Sequence, residues 1–348
     1  MRHLPDDVNS LLFSVCVSIL EHMAAGAYGA AIRTRGVAYD LGIRRTERVE
    51  GLAVVSVGGI STGGSGKTPM TIHFARKLLA RGLATAVVSR GYGGSWERSG
   101  GVVSAGTGRV LAAWEEAGDE AFMIAARCPN ALVVVGADRV AAARRARSLG
   151  ARVAVLDSGF QHRRLARDLD VVVLSADDLF DDRLIPQGHL REPFSAMSRA
   201  DLVAFEAAVL DGGRSAMLPR RSLVFRLVPQ EIVRHGGSSV AGLDVLRDQR
   251  AVLVAGIARP ERFGRTAARL GVRPVASLWF PDHHRYTTAD RRRIGETAVR
   301  LRADLVLTTE KDLPRLGPIP RVEVAALRVG VVIERGAELL DSVLEGAT

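Results

Sequence analysis

The sequence is short of lysine. Of its 48 basic residues only three are lysine (Lys67, Lys77 and Lys311), and the other 45 are arginine. Cysteine is scarcer still, with Cys16 and Cys128 alone. Two thiols so far apart exclude a disulfide framework and a cysteine-based zinc site, and they fit a reducing, cytoplasmic setting. Aromatic residues make up 5% of the chain, and the sequence carries no aromatic RNA-binding motif, zinc finger or basic block. Nucleic acid is therefore not an expected partner. The formal charge of +10 comes from arginines spread along the chain. Such an excess suits nucleotides or an anionic membrane surface.

Long apolar runs are missing too. Residues 8–33 come nearest, but Glu21 and His22 interrupt them and leave Leu11–Leu20. That is too short for a bilayer, which takes ~20 residues. Asp6 and Asp7 precede the run, where a secretory signal would be basic. Arginines follow at 33, 35, 44, 45 and 48. An apolar helix followed by basic residues suits lying on an anionic membrane face. The alternative is a long core helix of the first domain.

What remains reads as two globular domains, since 348 residues with 47% hydrophobic content suffice for two cores. The patterning predicts strands at 52–57, 84–89, 132–135, 152–156, 171–174 and 202–205, with helices over 68–81 and 137–149. A turn-rich, basic stretch at 211–222 marks a junction, and 223–229 reads as a connecting strand. A second unit follows, with strands at 251–255, 274–278 and 305–308 and helices at 261–270 and 289–302. Alternating strands and helices imply a mainly parallel sheet covered on both faces, with ligands at the strand C-terminal ends. The expected division is an N-terminal helix over 1–35, a nucleotide-binding domain over 36–218 and a C-terminal α/β domain over 219–348.

The segment 55-VSVGGISTGGSGKTPM-70 joins the first strand to the first long helix. That is the setting of a P-loop, whose backbone N–H groups and helix dipole cradle phosphate. Ser61, Thr62, Gly63, Gly64, Ser65 and Gly66 form the expected cradle. Lys67 reaches the outer phosphates, and the Thr68 hydroxyl is placed for Mg²⁺. The first glycine of the usual pattern is Ser61 here. Further on, 152-RVAVLD-157 ends a strand in a carboxylate, the position that holds Mg²⁺ in P-loop proteins. In 118-GDEAF-122, Asp119 is either a helix cap or a general base. In 280-FPDHHRYT-287, the histidines read either as metal ligands or as partners of a carboxylate base. The segments 184-LIPQGHLREP-193 and 308-TTEKDLP-314 are charged loops that read as functional or as solvated turns.

Together these segments resemble the tetraacyldisaccharide 4′-kinases, which phosphorylate the lipid A precursor of Gram-negative bacteria. The matching pieces run in order from the N-terminal helix through SRGYGG, GDE, DSGFQHRRLARDLD, LIPQGHLREP, AGIARPERF and FPDHHRYT to TEKD, from residue 10 to about 316. The resemblance implies a P-loop NTPase-like α/β/α sandwich and a second, smaller α/β/α domain joined by a short two-stranded linker. ATP would lie between them. It implies transfer of the γ-phosphoryl group of ATP, with Mg²⁺, to the 4′-hydroxyl of an acylated disaccharide 1-phosphate at the cytoplasmic face of the inner membrane. By the same resemblance Asp119 is the base, His283 orients it, and Lys67 stabilises the transferring phosphoryl group. Thr68, Asp157 and Glu192 form the Mg²⁺ shell, and Arg90 and Arg191 are phosphate contacts. The family's loop also lacks the first glycine. Two positions depart from its pattern: Ser158 replaces the second of two adjacent aspartates, and Gly59 stands where asparagine is frequent.

Two other classes fit parts of the pattern. A membrane-associated ATPase switch often carries a lysine five positions before the P-loop lysine, where this chain has Thr62. A kinase of a soluble metabolite would share the loop and have no use for an apolar N-terminal helix. A GTPase is excluded, because none of the three lysines sits in a guanine-recognition motif.

Overall fold

A computed structural model describes residues 6–179, 183–208, 222–234 and 240–347. Among them is a sheet of 13 strands with helices on both faces. The α/β/α class expected from the alternation is what the chain adopts.

The nucleotide-binding half is built on β1 (Ala53–Gly58), β2 (Thr85–Ser89), β3 (Gly101–Ala105), β4 (Leu132–Val135), β5 (Val153–Asp157), β6 (Leu169–Leu174) and β7 (Leu202–Glu206). Their spatial order is β7-β6-β1-β5-β2-β4-β3, parallel except for β3 against β4. The central strands are buried along their length, which is why they read as unbroken runs of valine, alanine and leucine. Helix Lys67–Ala80 packs Met70, Ile72, Phe74, Ala75 and Leu78 against one face. Helix Arg139–Ser148 covers the other with Val140, Ala142, Ala143 and Ala146.

The second half is built on β10 (Arg250–Ala255), β11 (Arg273–Trp279) and β12 (Leu305–Thr309), also parallel. Helix Pro260–Arg269 covers one face and helix Thr288–Arg300 the other. Two long strands join the halves: β8 (Ser222–Arg234) and β13 (Glu323–Arg335), 13 residues each and antiparallel. β8 pairs β7 at one end, β13 pairs β12 at the other, and the short β9 (Val240–Ala241) pairs β8. The sequence reading found β8 as the connecting strand and missed β13. The junction expected at 211–222 lies outside the described residues, save for Ser222 at the start of β8.

The N-terminal helix runs from Asp6 to Asp40, so residue 35 falls inside it. Its later part is tied to the body. Tyr28 donates to the Arg191 carbonyl (2.9 Å), Arg35 to the Gln161 carbonyl (2.7 Å), and Arg163 reaches Asp40 (2.6 Å). Leu20 and Met23 remain about two-thirds exposed (65% and 68%), as do Leu41 and Ile43 just beyond (69% and 73%). Among the described residues no helix is long and apolar enough to cross a membrane.

Candidate active site

The phosphate cradle begins where β1 ends. The chain turns through Gly64 and Gly66, both left-handed with φ of +84° and +87°, which glycine adopts without a Cβ penalty. Gly66 caps helix Lys67–Ala80 without any side-chain bond, leaving the first-turn N–H groups for an anion. Ser61 and Thr62 lie along the 184–193 segment: Ser61 bridges Leu190, and the Thr62 N–H donates to the His189 carbonyl (2.8 Å). Lys67 Nζ donates to Ser65 Oγ (2.9 Å). Burial, reinforced by the neighbouring charge of Arg191, pushes the Lys67 pKa down to about 8. An anion here would restore it. At Gly59 an added Cβ would lie 3.0 Å from the Val173 carbonyl oxygen and 3.3 Å from Lys67 Cδ, so this chain uses the missing side chain to pass close to its own lysine.

Asp157 ends β5 beside Val57 of β1. Thr71 and Ser89 donate to its carboxylate at 3.1 and 3.3 Å, and Thr68 Oγ1 lies 3.5 Å away. Burial, with the negative charge of Glu120 added, raises its pKa to about 6. A buried all-oxygen group is the donor set a hard cation prefers, so Thr68 and Asp157 fit Mg²⁺. Ser158, at the departure from the family pattern, holds a left-handed backbone (φ 56°). Two other predicted residues have partners of their own. Glu192 pairs with Arg199 (2.8 Å) and Arg90 with Glu97 (2.6 Å).

Asp119 opens helix Asp119–Arg127, but Gly118 holds the cap position. The buried Asp119 carboxylate accepts the Glu120 N–H on Oδ1 (2.9 Å) and faces three cationic or titratable groups from the other half on Oδ2. His283 Nδ1 is 3.1 Å away, Arg315 Nη1 3.4 Å and Lys311 Nζ 3.9 Å. Burial would raise the Asp119 pKa; the His283 hydrogen bond and the charges of Lys311 and Arg315 outweigh it and hold it below the ordinary value. Burial likewise opposes charging of His283, and the Asp119 bond overrides it, so His283 titrates above its ordinary value. The adjacent histidine turns elsewhere: His284 Nε2 is 3.0 Å from Asp290. The two histidines therefore serve different carboxylates, His283 facing Asp119 and His284 facing Asp290, and among the described residues they join no cluster of three or more His, Cys, Asp or Glu.

The second half closes onto the cradle. A Cβ at Gly63 would sit 2.9 Å from the Ala258 Cβ. Arg259 donates to Ser175 Oγ (2.8 Å), and Arg262 pairs with Glu206 (2.6 Å). Sequence reasoning missed Lys311 and Arg315 as site residues. Arg315 gave no signal among 45 arginines, but Lys311 is one of three lysines.

A strand, a glycine loop closed by Lys67-Thr68 and a carboxylate ending the neighbouring strand define a P-loop nucleoside-triphosphate-binding protein. The sequence profile of the tetraacyldisaccharide-1-P 4′-kinase family matches residues 17–346, and the chain belongs to that family. It is 40% identical to the tetraacyldisaccharide 4′-kinase of Anaeromyxobacter sp. (strain Fw109-5), over 93% of this chain and 90% of that one. The enzyme of the same name from Syntrophus aciditrophicus is 39% identical over 86% and 84%. In structure the chain resembles LpxK from Aquifex aeolicus, crystallised in complex with ATP, with a TM-score of 0.76 and 28% identity over 95% of this chain and 99% of that one.

Proposed function

We propose that this protein transfers the γ-phosphoryl group of ATP to the 4′-hydroxyl of an acylated glucosamine disaccharide 1-phosphate in lipid A biosynthesis. The observation that carries the proposal is the Asp119–His283 pair (3.1 Å), assembled from both halves in a chain whose cradle carries Lys67.

In the reaction the sugar oxygen attacks the γ-phosphorus, and the bond from that phosphorus to the bridging oxygen of ADP breaks. ADP leaves with the electron pair, and the hydroxyl proton passes to Asp119. His283 orients the carboxylate. Lys67 and the loop N–H groups stabilise charge on the phosphoryl oxygens, which supplies most of the rate when little covalent chemistry is needed. Thr68 and Asp157 would hold Mg²⁺, which neutralises phosphate charge when bound. Arg191, whose charge Lys67 feels, stays a candidate phosphate contact. Glu192 and Arg90 stay candidates for the metal shell and a phosphate contact, since each pairs through one atom, with Arg199 and Glu97, and has further acceptor or donor atoms.

The lipid is met at a membrane surface. Exposed Leu20, Met23, Leu41 and Ile43, with Arg33, Arg35, Arg44, Arg45 and Arg48 nearby, suit a helix lying at the cytoplasmic face of the inner membrane. We divide the chain into this helix, a kinase domain to about residue 218 and a C-terminal domain, with no nucleic-acid partner. Incubating the protein with ATP, Mg²⁺ and detergent-dispersed disaccharide 1-phosphate tests the reading. A lipid gaining one phosphate, located at the 4′ position by NMR, is the expected product. ATP hydrolysis with unchanged lipid would leave a switch ATPase in its place.

A further inference from the structure

Lys311 follows β12 and projects into the junction of the two halves. Its ammonium has three N–H donors, and three acceptors surround it: Glu120 Oε1 at 3.2 Å, Asp282 Oδ1 at 3.3 Å and His283 Nε2 at 3.3 Å. An ammonium only donates, so Nε2 of a ring bonded to it must be the bare, accepting nitrogen. The remaining ring proton of the neutral imidazole then sits on Nδ1, which faces Asp119 Oδ2 at 3.1 Å. The competing arrangement would put the proton on Nε2 toward Asp282 Oδ2, at 3.8 Å, beyond hydrogen-bond distance.

We propose that Lys311 is a positioning residue for the kinase reaction: it fixes neutral His283 as the Nδ1–H tautomer, so that the ring donates to the Asp119 carboxylate. The inference rests on the function proposed above. It explains a choice of residue. Arginine occupies 45 of 48 basic positions, yet this one is lysine. A planar guanidinium presents its donors as a fork, whereas an ammonium directs three N–H groups to three acceptors arranged around a point.

A second consequence concerns charge. The groups facing His283 are Asp119 and Glu120 from helix Asp119–Arg127, Tyr92 edge-on at 4.9 Å, Asp282 on its own segment, and Lys311 with Arg315 beyond β12. The carboxylates favour the imidazolium, and Lys311 opposes it. Removing that opposition lets His283 hold a second proton at higher pH, and the full charge of the imidazolium then weakens Asp119 as a base.

The test is NMR of the full chain, with His283 assigned by its loss in His283→Gln. At a pH above its titration, long-range proton–nitrogen correlations should show wild-type His283 with Nδ1 protonated and Nε2 bare. In Lys311→Met the His283 midpoint should rise by about one pH unit. The acid limb of kcat should move with it and kcat at pH 7 should fall severalfold, by up to about tenfold, with KM for ATP little changed. Lys311→Arg should restore the charge effect and not the tautomer. A wild-type ring protonated on Nε2 would overturn the proposal, as would an unmoved midpoint in a folded Lys311→Met. The wild-type measurement stands even if that variant does not fold. Neither NMR readout uses turnover, so a failure of the kinase reading would register separately, as unphosphorylated lipid.

Discussion

Asp119 and His283 are 164 positions apart in the chain and meet at 3.1 Å across the two halves of the molecule. One opens a helix in the nucleotide-binding half. The other sits in the turn after β11, its backbone left-handed (φ 58°). The pair draws one residue from each half, so any separation of the halves would break it.

Residues that act as a unit are non-additive when removed. Asp119→Asn should lower kcat by roughly 10²–10⁴-fold, the range that general-base catalysis supplies. His283→Gln should cost less. The double variant should be little worse than Asp119→Asn alone, and steady-state kinetics on all three checks this. Fully multiplicative losses would mean that the two residues work independently.

The same pair sets a pH window for stability. The His283 pKa lies above its ordinary 6.5, so its contribution is complete below 6.5 and is lost as pH rises through the folded value. The Asp119 pKa lies below its ordinary 3.8, so its contribution is present above 3.8 and is lost as pH falls through the folded value. The Tm difference between wild type and His283→Gln should therefore be largest between 3.8 and 6.5 and shrink on either side. Thermal melts across that range measure it.

Arg315 is buried with Asp312, at 1% and 0% side-chain exposure and 2.6 Å apart. Removing one partner of a buried pair strands the other, at about 3–5 kcal/mol. Asp312 would keep bonds from Tyr286, Thr309 and the Gly256 N–H. Arg315→Met should therefore cost about 3 kcal/mol, the lower end of that range. Urea unfolding gives the figure.

A ligand that binds only the folded state raises its stability, by about 2.7 kcal/mol at a hundredfold excess over Kd. ATP alone and ATP with Mg²⁺ should both raise the Tm of the wild type, the latter further. Asp157→Asn should keep the first increment and lose most of the second. Differential scanning fluorimetry separates them.

The parts of the site legible in the sequence are those whose residues are neighbours in the chain. The P-loop is a strand, a turn and a helix in succession, so β1, the glycines and Lys67 declare themselves together. Asp157 follows from a buried strand ending in a carboxylate. Asp119 and His283 were not paired by spacing; the family resemblance placed them, and the structure brings them into contact. Lys311 and Arg315 were missed because their roles come from tertiary contact, Lys311 through three acceptors on two segments. β13 was missed because what makes it the second arm of the linker is its pairing with β8, a tertiary contact about 100 positions back in the chain. The roles of Glu192 and Arg90 come from the family resemblance alone, and no local pattern in the sequence signals their ion pairs with Arg199 and Glu97.

The most direct test of the account is transfer of label from γ-labelled ATP to tetraacyldisaccharide 1-phosphate by the wild type, Lys67→Ala and Asp119→Ala side by side. The account predicts labelled lipid with the wild type and near-complete loss in both variants while the proteins stay folded. Label transfer that survives Asp119→Ala would contradict the assignment of the base, and wild-type ATP hydrolysis with no labelled lipid would contradict the kinase itself.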